Sequence, residues 1–341
     1  MQKKDCTGKK GIHPLVRLVS CFRILSYGDS SDRSDEYLQI SGTVASDSFK
    51  EFCRLIVEKF GSEYLNRCPT DEEKEQVLSL MKRRGFPGCF ASWDCKHFIW
   101  EKCPLRLAGQ HKGGKVGKAL ILEAISDPYL YIWYSFFGEP GSLNDLNVLD
   151  KSTIIGAILR QSFNGKVNPY VINGRARDWL YFLVDGIYPK LSIFCKTLSI
   201  PLTDAQRKYS KRHESVRKDV ERAFGVLVQR FGILKRPIRN WYLDDIKNIV
   251  SSCIILHNMT IELNKAFFIF NDEQHENNAT SVADDEEVPN VSLFSIAEDN
   301  DGDGFFQQGL AARVAHMAAR IEDTELHQCL QEDLVSHIWN R

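Results

Sequence analysis

Three acidic residues in segments of different kinds could together do chemistry. Asp94 lies in Ser92-Trp93-Asp94-Cys95-Lys96-His97-Phe98, Asp185 closes the apolar run Tyr181-Phe182-Leu183-Val184, and Glu221 stands in the helical stretch from Val216 to Phe224. Two carboxylates on strands and one on a helix can converge, however far apart they are in sequence. Converging carboxylates offer the hard oxygen ligands that Mg²⁺ and Mn²⁺ require, and such ions activate and stabilise the oxygens of a phosphodiester under attack. Asp94 is then the bridging ligand, with Asp185 and Glu221 flanking. Asp145 competes for the second position. It follows the turn Gly138-Glu139-Pro140-Gly141-Ser142 at the start of a helix, where an Asp serves as a cap or a support as readily as it ligates a metal.

The surroundings suit a polyanionic partner. Residues 271–304 carry eleven Asp or Glu and no Lys or Arg, and residues 305–341 sum to −2, which leaves about +12 on residues 1–270 of a chain whose net charge is −1. A basic body gains from counterion release on binding DNA. From Gln206 to Arg239 there are eleven Lys or Arg against three acids. The residues expected to meet DNA are Lys112, Lys115 and Lys118 in a glycine-containing loop, and Lys211, Arg212, Arg217, Lys218 and Arg222 around Glu221. Arg217 lies one helical turn before Glu221, within reach of a phosphate that the acids would act on.

The elements that must position these groups read as follows. Residues 1–12 form a polar, disordered arm. Residues 13–84 are helical: Leu15, Val16, Leu18, Val19, Phe22 and Leu25 have helical spacing, Ser41-Gly42-Thr43 forms a turn, and Ser46 or Asp47 caps a helix with Phe49, Phe52, Leu55, Ile56 and Phe60. That arrangement fits a helix-turn-helix or an all-α cap equally well. From Gly85 the pattern becomes β-rich, with strands at Cys89–Trp100, Ala119–Ser126 and Leu130–Phe137, a helix from near Ser142, and the buried strand Tyr181–Val184. Residues 205–232 read as one long helix with Glu221 at the border of its buried stripe. Trp241–Leu263 is a core helix in which His257 is a satisfied core residue. The reading is an α/β fold, a mixed sheet flanked by helices over 85–265, with an acidic disordered linker over 266–304 and a helical segment over 305–341.

Other chemistry has less support. The ten cysteines show no repeated spacing and no C-x-x-C pair, so they read as reduced, mostly buried thiols. Cys95, His97, Cys103 and His111 could supply four zinc ligands, but their spacing matches no common zinc module. The sequence has no stretch of about 18 uncharged apolar residues, so no membrane partner is expected, and an intracellular, soluble protein follows.

Taken in order, the motifs resemble the PIF/Harbinger transposases and the nucleases domesticated from them. The matching segments are Arg84-Gly85-Phe86-Pro87-Gly88 before Asp94-Cys95-Lys96-His97, then Phe137–Leu149 with Gly138-Glu139-Pro140-Gly141-Ser142-Leu143-Asn144-Asp145. They continue with Leu183-Val184-Asp185-Gly186-Ile187-Tyr188-Pro189, Val220-Glu221-Arg222-Ala223-Phe224-Gly225-Val226-Leu227, Arg230-Phe231 and Leu256-His257-Asn258. The resemblance implies a ribonuclease H-like core with an Asp-Asp-Glu centre at Asp94, Asp185 and Glu221, loaded with Mg²⁺ or Mn²⁺. It implies hydrolysis at transposon ends and strand transfer into target DNA, work in the nucleus with a cytoplasmic pool if import depends on a partner, a Myb-like partner protein, and self-association into a homo-oligomer. The alternative is a domesticated, catalytically silent DNA-binding or protein-interaction protein that keeps the fold. Trp93 and Lys96 stand where relatives often carry other residues.

Overall fold

The structure is a computed structural model that describes residues 8, 10–113, 117–159, 169–277 and 318–341, with residues 265–277 described by backbone alone. Most of the expected arm, Lys115, and the acidic segment from residue 278 onward lie outside these residues.

Four helices open the chain: α1 (Pro14–Tyr27), α2 (Arg33–Leu38), α3 (Gly42–Tyr64) and α4 (Asp71–Arg83). Pro14 occupies the first turn of α1, where its missing N–H costs nothing, and the helix stops at Gly28 with φ 63°. A side chain at Gly28 would meet the Gly232 carbonyl at 2.7 Å, so two backbones touch there. Helix α3 begins earlier than its sequence pattern suggests. Ser41 caps it by accepting from Val44 N, and the expected Ser41-Gly42-Thr43 turn is already its first turn. At α4 a full capping box closes, Thr70 and Glu73 each accepting from the other's backbone N–H.

The sheet is built on β1 (Cys89–Ile99). β3 (Gly117–Ser126) pairs with it antiparallel, and β4 (Ile132–Pro140) pairs antiparallel with β3. On the other side of β1 lie β7 (Tyr181–Leu183) and β8 (Phe194–Cys195), both parallel. The short β2 (Lys112–Gly113) extends β3, and β5 (Tyr170–Ile172) with β6 (Arg175–Arg177) forms a separate hairpin. Three antiparallel strands followed by two parallel ones, with helices on both faces, is the ribonuclease H-like arrangement expected from the sequence.

Each face of the sheet buries its own core. Leu120, Leu122 and Ala124 of β3 face the core that holds Val220, Phe224, Leu227, Ile249 and Ile254, whereas Ile125 joins Trp93, Phe182, Tyr188 and Phe194 on the opposite side. This alternation is the period-2 consequence of a strand buried on both faces. The first core is roofed by α1, α3, α9 (Asp219–Arg230) and the long α11 (Leu243–Asn277). His257 within α11 is fully buried and bonds the Leu130 carbonyl through Nε2 at 2.8 Å, as a satisfied core residue does.

The single helix expected over 205–232 is two. Helix α8 (Asp204–Arg217) stops at Lys218, and α9 starts at Asp219. The cause is a buried ion pair. Asp219 is 1% exposed and receives Arg84 Nη1 at 2.5 Å and Nη2 at 3.0 Å, so α9 starts where Arg84 holds it. A C-terminal helix, α12 (Thr324–Trp339), packs on α8, with Asp333 accepting from Arg177 at 2.6 Å. Among the described residues no helix is long and apolar enough to cross a membrane.

Candidate active site

Asp94 sits in the middle of β1 opposite Ala124, and so shares the face that meets α9. Two residues earlier on the same face, Ser92 Oγ donates to the Val216 carbonyl at 3.3 Å, tying the end of α8 to the strand. Strand β7 pairs with β1 only as far as Ser92 and Leu183, so that edge of β1 is left open beside Asp94 until Ile238 bridges it at Trp100. Asp185 stands at the mouth of that gap, two residues past the end of β7, where its Oδ1 accepts from Gly186 N at 2.6 Å. A crevice beyond the C-terminal end of a parallel strand is where α/β sheets gather their functional groups.

Glu221 enters from the first turn of α9. Arg217, the last residue of α8, lies one turn from both Glu214 and Glu221 and turns its guanidinium among the acids. Its Nη1 lies 3.1 Å from Glu221 Oε1 and 3.9 Å from Asp94 Oδ2, and its Nη2 lies 3.1 Å from Glu214 Oε2. Asp185 also contributes to the field at Arg217.

Asp145 reaches the same crevice from the opposite side. The cap of its helix, α6 (Asp145–Lys151), is Asn144, whose Oδ1 accepts from Asn147 N at 2.9 Å. Asp145 is therefore relieved of the capping role that its position suggested. Burial raises its carboxyl above the usual range, Cys95 and His97 oppose that, and the charge of Asp185 adds to it. Asp94 responds more strongly. Burial pushes it up to about 6 against the pull of the Cys95 N–H and Arg217, with Asp145 and Glu221 pushing the same way as burial.

Asp94 thus feels the charges of Asp145 and Glu221, and Asp145 feels that of Asp185. Their donor chemistry fits Mg²⁺ or Mn²⁺, which take oxygen ligands. As they stand, however, no three His, Cys, Asp or Glu among the described residues are close enough to hold one ion. Arg217 occupies the space between Asp94 and Glu221 instead. The zinc candidates are separated by their roles: Cys103 is buried in the α9-side core, and His111 bonds the Ala119 carbonyl at 3.1 Å.

The basic residues divide. Lys211 and Lys218 are exposed on the α8–α9 side, beside Glu214 and Glu221. Arg212 donates to the Arg84 carbonyl at 2.9 Å and Arg222 pairs with Asp219, so both serve the fold. Lys112 and Lys118 pair across β2 and β3 at the far end of the sheet. Six residues of strand separate Lys118 from Ala124, roughly 20 Å, so they are not part of the acidic crevice.

Glu123 was missed by the sequence reading. It faces the core opposite Cys95, fully buried, with Trp93 Nε1 donating to Oε1 at 3.0 Å, and burial pushes its carboxyl up to about 7. Its signal was there: a lone charge inside Ala119-Leu120-Ile121-Leu122-Glu123-Ala124-Ile125. Trp93 packs edge-on against Phe182 and Phe194.

Comparison with known proteins bears on this geometry. A family model described as plant transposon protein matches residues 62–267, which span β1 and both helices of the crevice. The chain is 23% identical over 255 residues to "Protein ALP1-like" of Arabidopsis thaliana, a match covering 72% of this chain and 60% of that protein. It is 24% identical over 258 residues to "Putative nuclease HARBI1" of Homo sapiens, covering 74% of this chain and 69% of that one, and equally identical to the Bos taurus protein of the same name. The chain therefore spans less than two thirds of the length of the plant relative. No solved structure matches it.

Proposed function

Because this chain belongs to the plant transposon protein family, a Harbinger-type group of transposases and domesticated nucleases, we propose that it cuts DNA phosphodiesters, with Asp94, Asp185 and Glu221 holding divalent Mg²⁺ or Mn²⁺. What supports this reading is that Asp94 of β1 and Glu221 at the start of α9 flank one Arg217 guanidinium, whose field Asp185 also shapes, on a chain whose body is basic. Bound there, a pair of such ions supplies charge stabilisation for both the attacking and the leaving oxygen of an in-line displacement.

The chain's own groups do the rest. Asp94, on the rigid centre of the sheet and half-desolvated, fixes the ligand position that the other acids share. Asp185 and Glu221 close the site from the exposed sides, where DNA can approach. Asp145 either completes the ligand set or orients it from behind. Lys211 and Lys218 lie along the approach and position the backbone by its phosphates, which carries no sequence information. On the same reading the substrates are transposon ends and target DNA, and the protein works in the nucleus with a Myb-like partner.

One observation favours the alternative of a non-cutting DNA-binding protein: Arg217 already neutralises Asp94 and Glu221. Incubation with Mn²⁺ and supercoiled or transposon-end DNA separates the two readings. Nicking by the native protein, lost on chelation and in Asp94→Asn and Asp185→Asn, is the expected result. Nicking that persists in both variants, or none at all, rules out the cutting centre. Asp145→Asn decides its own role: loss as complete as that of Asp185→Asn marks a ligand, and a partial loss marks a support.

A further inference from the structure

We infer that Arg217 is an exchangeable counter-ion, a latch that holds the acidic crevice together without metal and must swing out for a divalent cation to enter. The inference rests on the metal-binding reading of Asp94 and Glu221, and adds how that site is loaded.

Among the described residues, the ion pair that Asp94 makes and the one that Glu221 makes both end on Arg217, at 3.9 and 3.1 Å from the same Nη1. The Arg217 side chain is 11% exposed and that of Asp94 19%, so this end of the contact is largely withdrawn from solvent, while Glu221 stands 44% exposed at its rim. Without a cation between them, Asp94, Asp145, Asp185 and Glu221 would repel one another in a partly dehydrated crevice. Arg217 supplies that cation. It cannot leave by losing its proton, because arginine stays charged in proteins. Nor can it stay, since a divalent ion bound by Asp94 and Glu221 would occupy the place of its Nη1 and add two like charges beside it. Rotation of the side chain is the only exit.

The structure provides a holding point for that rotation. Glu214, one turn back on α8, accepts from Nε at 3.4 Å and from Nη2 at 3.1 Å, on the side of the guanidinium away from Asp94 and Glu221. Glu214 is more exposed than Arg217. A guanidinium that pivots about Glu214 moves from the crevice toward solvent, where a DNA phosphate is a bidentate acceptor of matching shape. The acids then exchange one partner for another: Arg217 for the metal, while Arg217 exchanges the acids for phosphate. Metal and DNA binding are consequently coupled, each removing the competitor of the other, and the coupling is reciprocal.

The test is Mn²⁺ binding to the full chain without DNA, followed by the loss of the free Mn²⁺ paramagnetic resonance signal, for the native protein, Arg217→Gln, Arg217→Lys and Asp94→Asn. Thermal unfolding with and without Mn²⁺ is recorded beside it. If Arg217 is a latch, Arg217→Gln binds Mn²⁺ about tenfold tighter, within the range usual for coupled sites. It also unfolds earlier than the native protein without Mn²⁺ and gains more from adding it. Arg217→Lys, which keeps the charge, stays nearer to the native affinity. If Arg217→Gln binds Mn²⁺ no more tightly than the native protein while Asp94→Asn abolishes binding, the latch is wrong and the metal site stands. If neither the native protein nor Arg217→Gln binds Mn²⁺, both the latch and the metal site fall. Circular dichroism shows whether Arg217→Gln is folded; should it not be, Arg217→Lys must still bind Mn²⁺ like the native protein, and a tenfold change there overturns the charge argument.

Discussion

Asp219 and Arg84 lie 135 residues apart in sequence, and their side chains meet through two hydrogen bonds of 2.5 and 3.0 Å. Asp219 is 1% exposed. This pair sets where α9 begins, two residues before Glu221, and so places the helix that brings the third acid to the sheet. Removing the carboxylate would take away the buried acid that both Arg84 and Arg222 meet. Asp219→Ala is expected to destabilise the protein by about 3 kcal/mol, the usual cost of breaking a buried pair. Urea unfolding checks this, and a loss below about 1 kcal/mol would show that α9 is positioned by its apolar face alone.

The exposed lysines on the crevice side give a second test. Replacing Lys211 and Lys218 together with Gln is expected to weaken DNA binding and reduce the slope of log affinity against log salt by about two. The same change at Lys112 and Lys118, at the far end of the sheet, should leave the binding of a duplex confined to the crevice unchanged. Fluorescence anisotropy over a salt series measures both. An unaltered slope for the first pair would put DNA elsewhere.

Glu123 predicts a pH dependence. Burial raises its folded carboxyl to about 7 from the ordinary 4.5. A raised value means that the folded state holds its proton longer, so the contribution is intact below about 4.5 and is lost as pH rises through 7. Glu123→Gln keeps the acceptor for Trp93 Nε1 and removes the titration. The variant should be more stable than the native protein at pH 8, by up to about 3 kcal/mol, with the gap closing toward pH 4.5. Equal stability of the two proteins at pH 8 would mean that the carboxylate is not desolvated as its burial indicates.

Much of this architecture could be read from residue order. The apolar runs Ala119–Ser126 and Tyr181–Val184 announced strands, the second a buried one, and both take their places in the sheet. Local patterns carry such information because caps, turns and periodicity act over a few residues. The single helix over 205–232 was misread for the opposite reason: nothing within that stretch shows that Arg84, far upstream, will hold Asp219 and divide it.

Residue order shows which carboxylates exist, on what kind of element each sits, and that the body around them is basic. How they are arranged follows from the packing of the chain. It ends β7 two residues before Asp185 and leaves β1 uncovered beside it. It assigns the helix cap to Asn144 and leaves Asp145 free of that role, and it sets Arg217, with its helical neighbour Glu221, against Asp94 of β1. Each of these depends on contacts between residues far apart in the chain, and pairwise burial and charge across such distances leave no periodic trace in a sequence.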